Sequence, residues 1–80
     1  MKATQITREH VKKYVVQHAR VTNPYKKELW WASVTLGYDY AESGKTIEQA
    51  YNALTDKIFK SPTIMMTLSD LKSFRKIIGW

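Results

Sequence analysis

The sequence predicts a small α+β domain in which about three helices pack on a short sheet of two or three strands. Segments 8–20 and 47–59 place apolar residues at helical spacing, and segment 30–36 alternates apolar and polar residues with the period of a strand. A chain of 80 residues has the size of one domain, so we expect a single compact domain over residues 1–80. An all-α bundle of four helices is the alternative, because residues 28–40 also carry helical features.

The first helix is predicted to run from Arg8 to Arg20. Thr7 can serve as its N-cap, because a hydroxyl at that position accepts a backbone N–H of the first turn. Asn23-Pro24 marks a boundary, since the residue before a proline is disfavoured in the helical region. The apolar stripe of this helix consists of Val11, Tyr14, Val15, His18 and Ala19. For a histidine on that stripe, a buried and hydrogen-bonded side chain is the expected state.

Segment 28–40 is predicted to contain a strand at residues 30–36, preceded by a helical turn at 24–28. Alternate residues from Trp30 to Tyr40 are apolar or aromatic. The intervening residues Ser33, Thr35, Gly37 and Asp39 are small or polar. A proline near the start and a glycine at the end would also frame a helix, which is the competing interpretation. Residues 2–6 are a candidate for pairing with the strand.

The clearest helix is predicted at residues 47–59. Thr46 with Gln49 three residues later forms a capping-box pattern. Its apolar stripe consists of Ile47, Ala50, Tyr51, Leu54 and Ile58.

The last segment is predicted to hold a short strand at 63–66 and then a helix to about Ile78, capped by Ser69 or by Thr67 with Asp70. One longer helix that begins at Ser61-Pro62 is the alternative. Gly79 fits the C-terminal cap. The buried side of this helix is expected to consist of Leu71, Phe74, Ile77 and Ile78.

The net charge of +6 is concentrated at the two ends of the chain. Residues 1–27 carry a net charge of +6, residues 28–56 carry −4, and residues 57–80 carry +4. If the ends meet in the fold, they form one positive face that attracts nucleic acid or an acidic protein surface. The alternative is that these charges are solvated faces that keep a small protein soluble.

The stretch Gly44-Lys45-Thr46 resembles the end of a phosphate-binding loop. Asp39 occupies the position where that motif needs its first glycine, and a carboxylate there would repel phosphate. The chain is also too short for the multi-stranded α/β fold that surrounds such a loop. We therefore interpret the stretch as a turn that begins the helix at 47–59.

The remaining patterns favour a protein without catalytic activity. His10 and His18 are eight residues apart, which is not the spacing of a ligand pair, and no serine lies in a nucleophile motif. Asp39 and Glu42 are assigned to a solvated loop. We expect no enzyme activity, no metal site and no cofactor.

The same sequence predicts a soluble, cytoplasmic protein. Cysteine is absent, which suits a reducing compartment. The first residues lack the apolar region of a signal peptide, and no run approaches the roughly 20 apolar residues of a membrane span.

Two adjacent tryptophans, Trp30 and Trp31, would point to opposite faces of the predicted strand. The simpler interpretation places both rings in the core. Otherwise one ring is exposed, as a surface on which bases stack or as an anchor in a protein interface.

These features give two hypotheses. The first is a small, basic, DNA- or RNA-binding protein whose basic ends contact the phosphate backbone. The second is a small modulator or inhibitor, of the kind that phages and mobile elements encode, that docks on a larger protein through aromatic and basic residues. Neither hypothesis fixes the oligomeric state. The candidate nucleic-acid-binding residues are Lys12, Lys13, Arg20, Lys26, Lys27, Lys72, Arg75 and Lys76, and the candidate interface aromatics are Trp30 and Trp31.

Overall fold

The computed structural model describes residues 5–25 and 28–79. It shows four helices packed on a three-stranded antiparallel sheet, so the α+β prediction is confirmed and the four-helix bundle is not favoured. The elements are α1 (Arg8–His18), β1 (Arg20–Thr22), β2 (Trp30–Leu36), β3 (Tyr38–Gly44), α2 (Ile47–Phe59), α3 (Pro62–Ser69) and α4 (Lys72–Ile78). The proposed pairing of residues 2–6 and the helical turn at 24–28 fall partly outside the described residues.

Strand β2 lies in the centre of the sheet, between β1 and β3, and has the bounds that its alternation predicted. The chain reverses direction around Gly37, which adopts the positive φ of 84° that a glycine tolerates. Neither β1 nor β3 was predicted. The assignment of Asp39 and Glu42 to a loop is wrong, because both residues lie on β3 and pair with Thr35 and Ala32 of β2.

The two predicted long helices are present with small differences. Helix α1 ends at His18, because Ala19 is already extended (φ −74°, ψ 145°) and leads into β1. At its start, Thr7 Oγ1 accepts the His10 N–H at 3.3 Å, and His10 Nδ1 accepts the Thr7 N–H at 3.0 Å, so the predicted N-cap is confirmed and extended into a capping box. Helix α2 has its predicted bounds.

The strand predicted at 63–66 is wrong, since these residues belong to α3. Ser61 caps this helix by accepting the Ile64 N–H at 3.3 Å, and Pro62 occupies its first turn, where the missing N–H costs nothing. The longer-helix alternative gives the correct start, but the helix ends at the Asp70 cap and Leu71 is extended.

Helix α4 begins after Leu71 without a side-chain cap, so the caps proposed at Ser69 and at Thr67 with Asp70 are wrong. Gly79 ends α4 with a φ of 80°, as predicted. The predicted buried side is only partly correct: Phe74 and Ile78 are buried, whereas Leu71 and Ile77 are half-buried.

All four helices contribute to one core on a single face of the sheet. Ala32, Val34 and Leu36 of β2 point into it, and the intervening residues Ser33 and Thr35 point away. The largest fully buried side chains are Phe74, Leu54, Ile58, Leu68, Val11, Val15 and Thr55. None of the described helices has the length and apolar content needed to cross a membrane.

Candidate nucleic-acid interface

Helices α1 and α4, from opposite ends of the chain, pack against each other. The ring of Tyr14 meets that of Phe74 edge to face, with centroids 6.1 Å apart, and stacks on the imidazole of His18 at 4.5 Å. Burial raises the pKa of Tyr14, and its hydrogen bond with Ser73 opposes that rise. The contact therefore brings the two basic ends of the chain together.

The α1–α4 contact forms a groove of about 390 Å³ that contains lysines from both ends of the sequence. Lys13 and Gln17 contribute from α1, and Lys76 contributes from α4 one turn after Lys72. We call this surface the basic groove; it is lined by Lys13, Gln17, His18, Ser73, Lys76 and Ile77. The sequence placed Lys13 and Lys76 on candidate surfaces but did not show that they face one groove.

A second concavity, of about 470 Å³, adjoins the basic groove. It lies where Arg20 of β1 and Thr35 and Asp39 of the hairpin meet the end of α1, and His18 lines both depressions. His18 is exposed, so the expectation of a buried histidine is wrong. His18 is the last residue of α1 and lies between these two depressions, so its side chain stays open to solvent.

The second concavity belongs to a sheet face that none of the described helices covers. Directly paired residues share a face, so the strand register identifies its members. We call this surface the open face; it consists of Arg20, Thr22, Trp31, Ser33, Thr35, Asp39, Ala41 and Ser43. All of them are exposed or half-buried, in contrast to Ala32, Val34 and Leu36 on the core side.

The two tryptophans lie on different sides of the sheet. Trp30 packs against the core, whereas Trp31 is half-buried on the open face. The interpretation that both rings fill the core is therefore wrong for Trp31, because the sheet has helices on one face only.

The candidate cations divide into two groups. Lys12 Nζ lies 2.6 Å from Glu48 Oε2 and 2.7 Å from Asn52 Oδ1, and Arg75 pairs with Asp70 at 3.7 Å and donates to the Ser69 carbonyl. The other group has no ion pair with any acid in residues 5–25 and 28–79; it consists of Lys13, Arg20, Lys72 and Lys76. Lys26 and Lys27 lie outside the described residues.

Several acids of the central segment are used in contacts away from the basic groove. Asp56 Oδ1 accepts from Arg8 Nε at 2.6 Å, at the contact between α1 and α2. Glu42 of β3 pairs with Lys57 of α2 at 3.3 Å. Contacts with α2 therefore neutralise Arg8 and Lys12 of α1, whereas Lys13 has no ion pair among the described residues.

The Gly44-Lys45-Thr46 turn is occupied by capping contacts. Thr46 Oγ1 accepts the Gln49 N–H at 3.0 Å, and Gln49 Oε1 accepts the Lys45 N–H at 2.9 Å. The predicted capping pair is thus present, although Gln49 reaches Lys45 instead of the cap residue itself. The Lys45 N–H, which a phosphate loop would aim at its ligand, is therefore engaged within the turn.

In the part of the chain that the structure describes, no cluster of three or more histidine, cysteine, aspartate or glutamate side chains could hold a metal ion. Comparisons with protein-family models, with curated proteins and with solved structures gave no match. We therefore infer function from the basic groove and the open face.

The Arg8–Asp56 pair gives a prediction about acid stability. The hydrogen bond from Arg8 lowers the pKa of the Asp56 carboxyl, so the folded protein protonates this group at lower pH than the unfolded chain does. Its stabilising contribution is therefore complete above about pH 5 and is lost as pH falls through the lowered pKa. Asp56→Asn is expected to make stability less dependent on pH in this acidic range, measured by urea unfolding at several pH values.

The matched control for that prediction is Asp70→Asn, at the looser pair with Arg75. We expect it to change the acid dependence less. A carboxyl titration by NMR that places the Asp56 pKa at or above the ordinary value of about 3.9 would contradict the prediction.

Proposed function

We propose that this protein is a small, non-enzymatic nucleic-acid-binding protein that contacts phosphates through the basic groove. The observation that carries the proposal is the meeting of Lys13 and Lys76 in one groove, with Lys72 one turn away and Arg20 on the adjoining open face. Cations without an acidic partner are available to neutralise phosphates, and such contacts give affinity without sequence preference. The proposal includes a cytoplasmic location, where either DNA or RNA would be available.

The proposal predicts a strong dependence of affinity on salt. Each neutralised phosphate contributes about −0.7 to −0.9 to the slope of log affinity against log salt. Four cations therefore predict a slope near −3 and a loss of affinity of about 50- to 150-fold between roughly 50 and 200 mM salt. The measurement is fluorescence anisotropy of a short labelled oligonucleotide, single-stranded and duplex.

The double variant Lys13→Ala/Lys76→Ala tests the groove. It is expected to weaken binding and to make the slope shallower by about 1.4–1.8, because two phosphate contacts are removed. The double variant Lys45→Ala/Lys60→Ala is the matched control, because it removes the same charge from the two ends of α2, outside the groove. It should keep the full slope.

A salt-independent affinity, or equal effects of the two double variants, would contradict binding through the groove. If the protein binds no oligonucleotide, the alternative function is favoured, which is a modulator that docks on an acidic protein surface.

A further inference from the structure

Resting on the proposed function, we infer that the open face is a stacking surface for unpaired bases, so that the ligand is single-stranded nucleic acid rather than duplex. The surface would bind a strand whose phosphates follow the basic groove and whose bases reach Trp31. Single-strand sites of this kind combine a positively charged path with aromatic rings on which bases stack.

The position of Trp31 supports this inference. It lies on the central strand, and its cross-strand neighbours are Thr22 on β1 and Ser43 on β3. Both are too small to cover an indole, and the next residue of β2 on the same face is Ser33. Trp31 is half-buried, and the part of its indole that stays exposed is bordered by small side chains, so a base can lie against it.

The cations of the proposed path all lie on the same side of the Trp31 ring. Arg20 pairs with Ser33 and is therefore diagonal to Trp31, at a distance of about 7–8 Å between such positions. His18 lines the concavity that contains Arg20 and also the basic groove, so the two surfaces are continuous. A backbone that leaves Lys13 and Lys76 can pass His18 and Arg20 and place a base at Trp31.

A carboxylate limits the path that phosphates can follow on the open face. Asp39 of β3 lines the same concavity as His18 and Arg20, on the β3 side, and its carboxylate accepts a hydrogen bond from Thr35 at 2.7 Å. A duplex has two phosphate backbones and keeps its bases paired and stacked inside, whereas a single strand has one backbone and can splay its bases onto an aromatic ring. The arrangement of charge and aromatic surface therefore fits one strand.

The test compares a short oligothymidine strand with a duplex of the same length at low salt. The single strand is expected to bind more tightly. Trp31→Leu keeps an apolar side chain but removes the aromatic ring, and we expect it to lower single-strand affinity by about 5- to 150-fold. Its salt slope should stay that of the unsubstituted protein, because no phosphate contact is lost.

Two controls accompany this variant. Tyr38→Leu removes an aromatic ring that is 78% exposed at the hairpin and outside the open face, and it should leave affinity unchanged. Trp31→Phe keeps a ring and should retain most of the affinity, while most of the quenching of tryptophan emission by the oligonucleotide should disappear with the indole. Thermal unfolding of each variant checks that it is folded.

The outcomes separate this inference from the proposed function. If neither strand nor duplex binds, the proposed function fails and the inference fails with it. If the duplex binds as tightly as the single strand, if folded Trp31→Leu binds normally, or if Trp31→Phe is quenched as strongly as the unsubstituted protein, only the stacking surface is overturned.

Discussion

Replacing Phe74 by alanine is expected to lower the free energy of unfolding by about 3–5 kcal/mol. The side chain is fully buried, and its ring meets Tyr14 of α1 edge to face. Truncation removes the transfer free energy of the ring, leaves a cavity between α1 and α4, and loses the aromatic pair, which alone contributes about 0.5–1.5 kcal/mol.

This loss is a large share of the stability that a domain of this size has. At about 0.05–0.15 kcal/mol per residue, 80 residues give a total of roughly 4–12 kcal/mol. Each kcal/mol corresponds to about 4–8 °C in Tm for a domain of this length. Calorimetry or urea unfolding should therefore show a much less stable or largely unfolded variant.

Phe59→Ala is the matched control, because Phe59 is 40% exposed at the end of α2. The same truncation there leaves a smaller cavity and should cost less than half as much. Phe74→Leu, which keeps much of the apolar volume, should fall between the two. Equal losses for Phe74→Ala and Phe59→Ala would contradict the central place of Phe74 in the α1–α4 contact.

The elements that the sequence predicted well carry their own local signals. Helix α2 has an N-cap, an apolar stripe and a terminating Ser61-Pro62, and the structure reproduces its bounds. Strand β2 alternates from Ala32 to Leu36 because one face packs on the core and the other is open. In both cases the local pattern and the tertiary environment agree.

The elements that were missed depend on contacts distant in sequence. Strand β1 has only three residues, and it exists because it pairs with β2 across the turn at Pro24. On β3, Glu42 shares the core side of the sheet with buried Ala32, and it is accommodated at the edge strand by its pair with Lys57. Periodicity cannot reveal either partner.

The segment 63–66 was misread because a short apolar run does not distinguish strand from helix. Ile64 and Leu68 are both buried and lie four residues apart, which is the spacing of one helix face. Leu68 lies outside the run 63–66, so the run alone does not show this spacing.

The sequence predicted the candidate site only on the condition that the two ends of the chain meet in the fold. The charge distribution indicated that the two ends would form one positive face if they met, and it could not show that α1 and α4 pack together. Lys12 and Lys13 are neighbours in sequence, yet Lys12 faces α2 and Lys13 faces the basic groove. Helical geometry turns successive side chains by about 100°, so only the identity of the packed neighbours assigns each lysine a role.

Replacing Gly44 by alanine is expected to destabilise the fold by about 3 kcal/mol or more, at or above the upper end of what overpacking costs. A Cβ at this position would lie 2.6 Å from the Ala50 backbone nitrogen, 2.6 Å from Gln49 Cβ and 2.7 Å from the Gln49 carbonyl carbon. Two of these are backbone atoms of α2, so no side-chain rotation relieves the contact. Gly44 is thus needed where the end of β3 passes the first turn of α2.

Two effects oppose each other in this variant. Alanine restricts the unfolded chain more than glycine does, which stabilises by about 0.4–1 kcal/mol where the native site accepts the side chain. The clash with α2 is larger, so the net effect is destabilising. Urea unfolding of Gly44→Ala measures the difference directly, and an unchanged or increased stability would contradict the close approach of β3 to α2.

Gly37→Asn separates this steric cost from a conformational one. Gly37 has a φ of 84° and open space around the position of a Cβ, and asparagine tolerates positive φ better than most residues. It should therefore be tolerated at 37, with a loss below about 1 kcal/mol, whereas Gly44→Asn should be at least as damaging as Gly44→Ala. A glycine whose role is to bind phosphate could be replaced with little change in stability. A large loss at position 44 therefore indicates that Gly44 is required for the packing of β3 against α2.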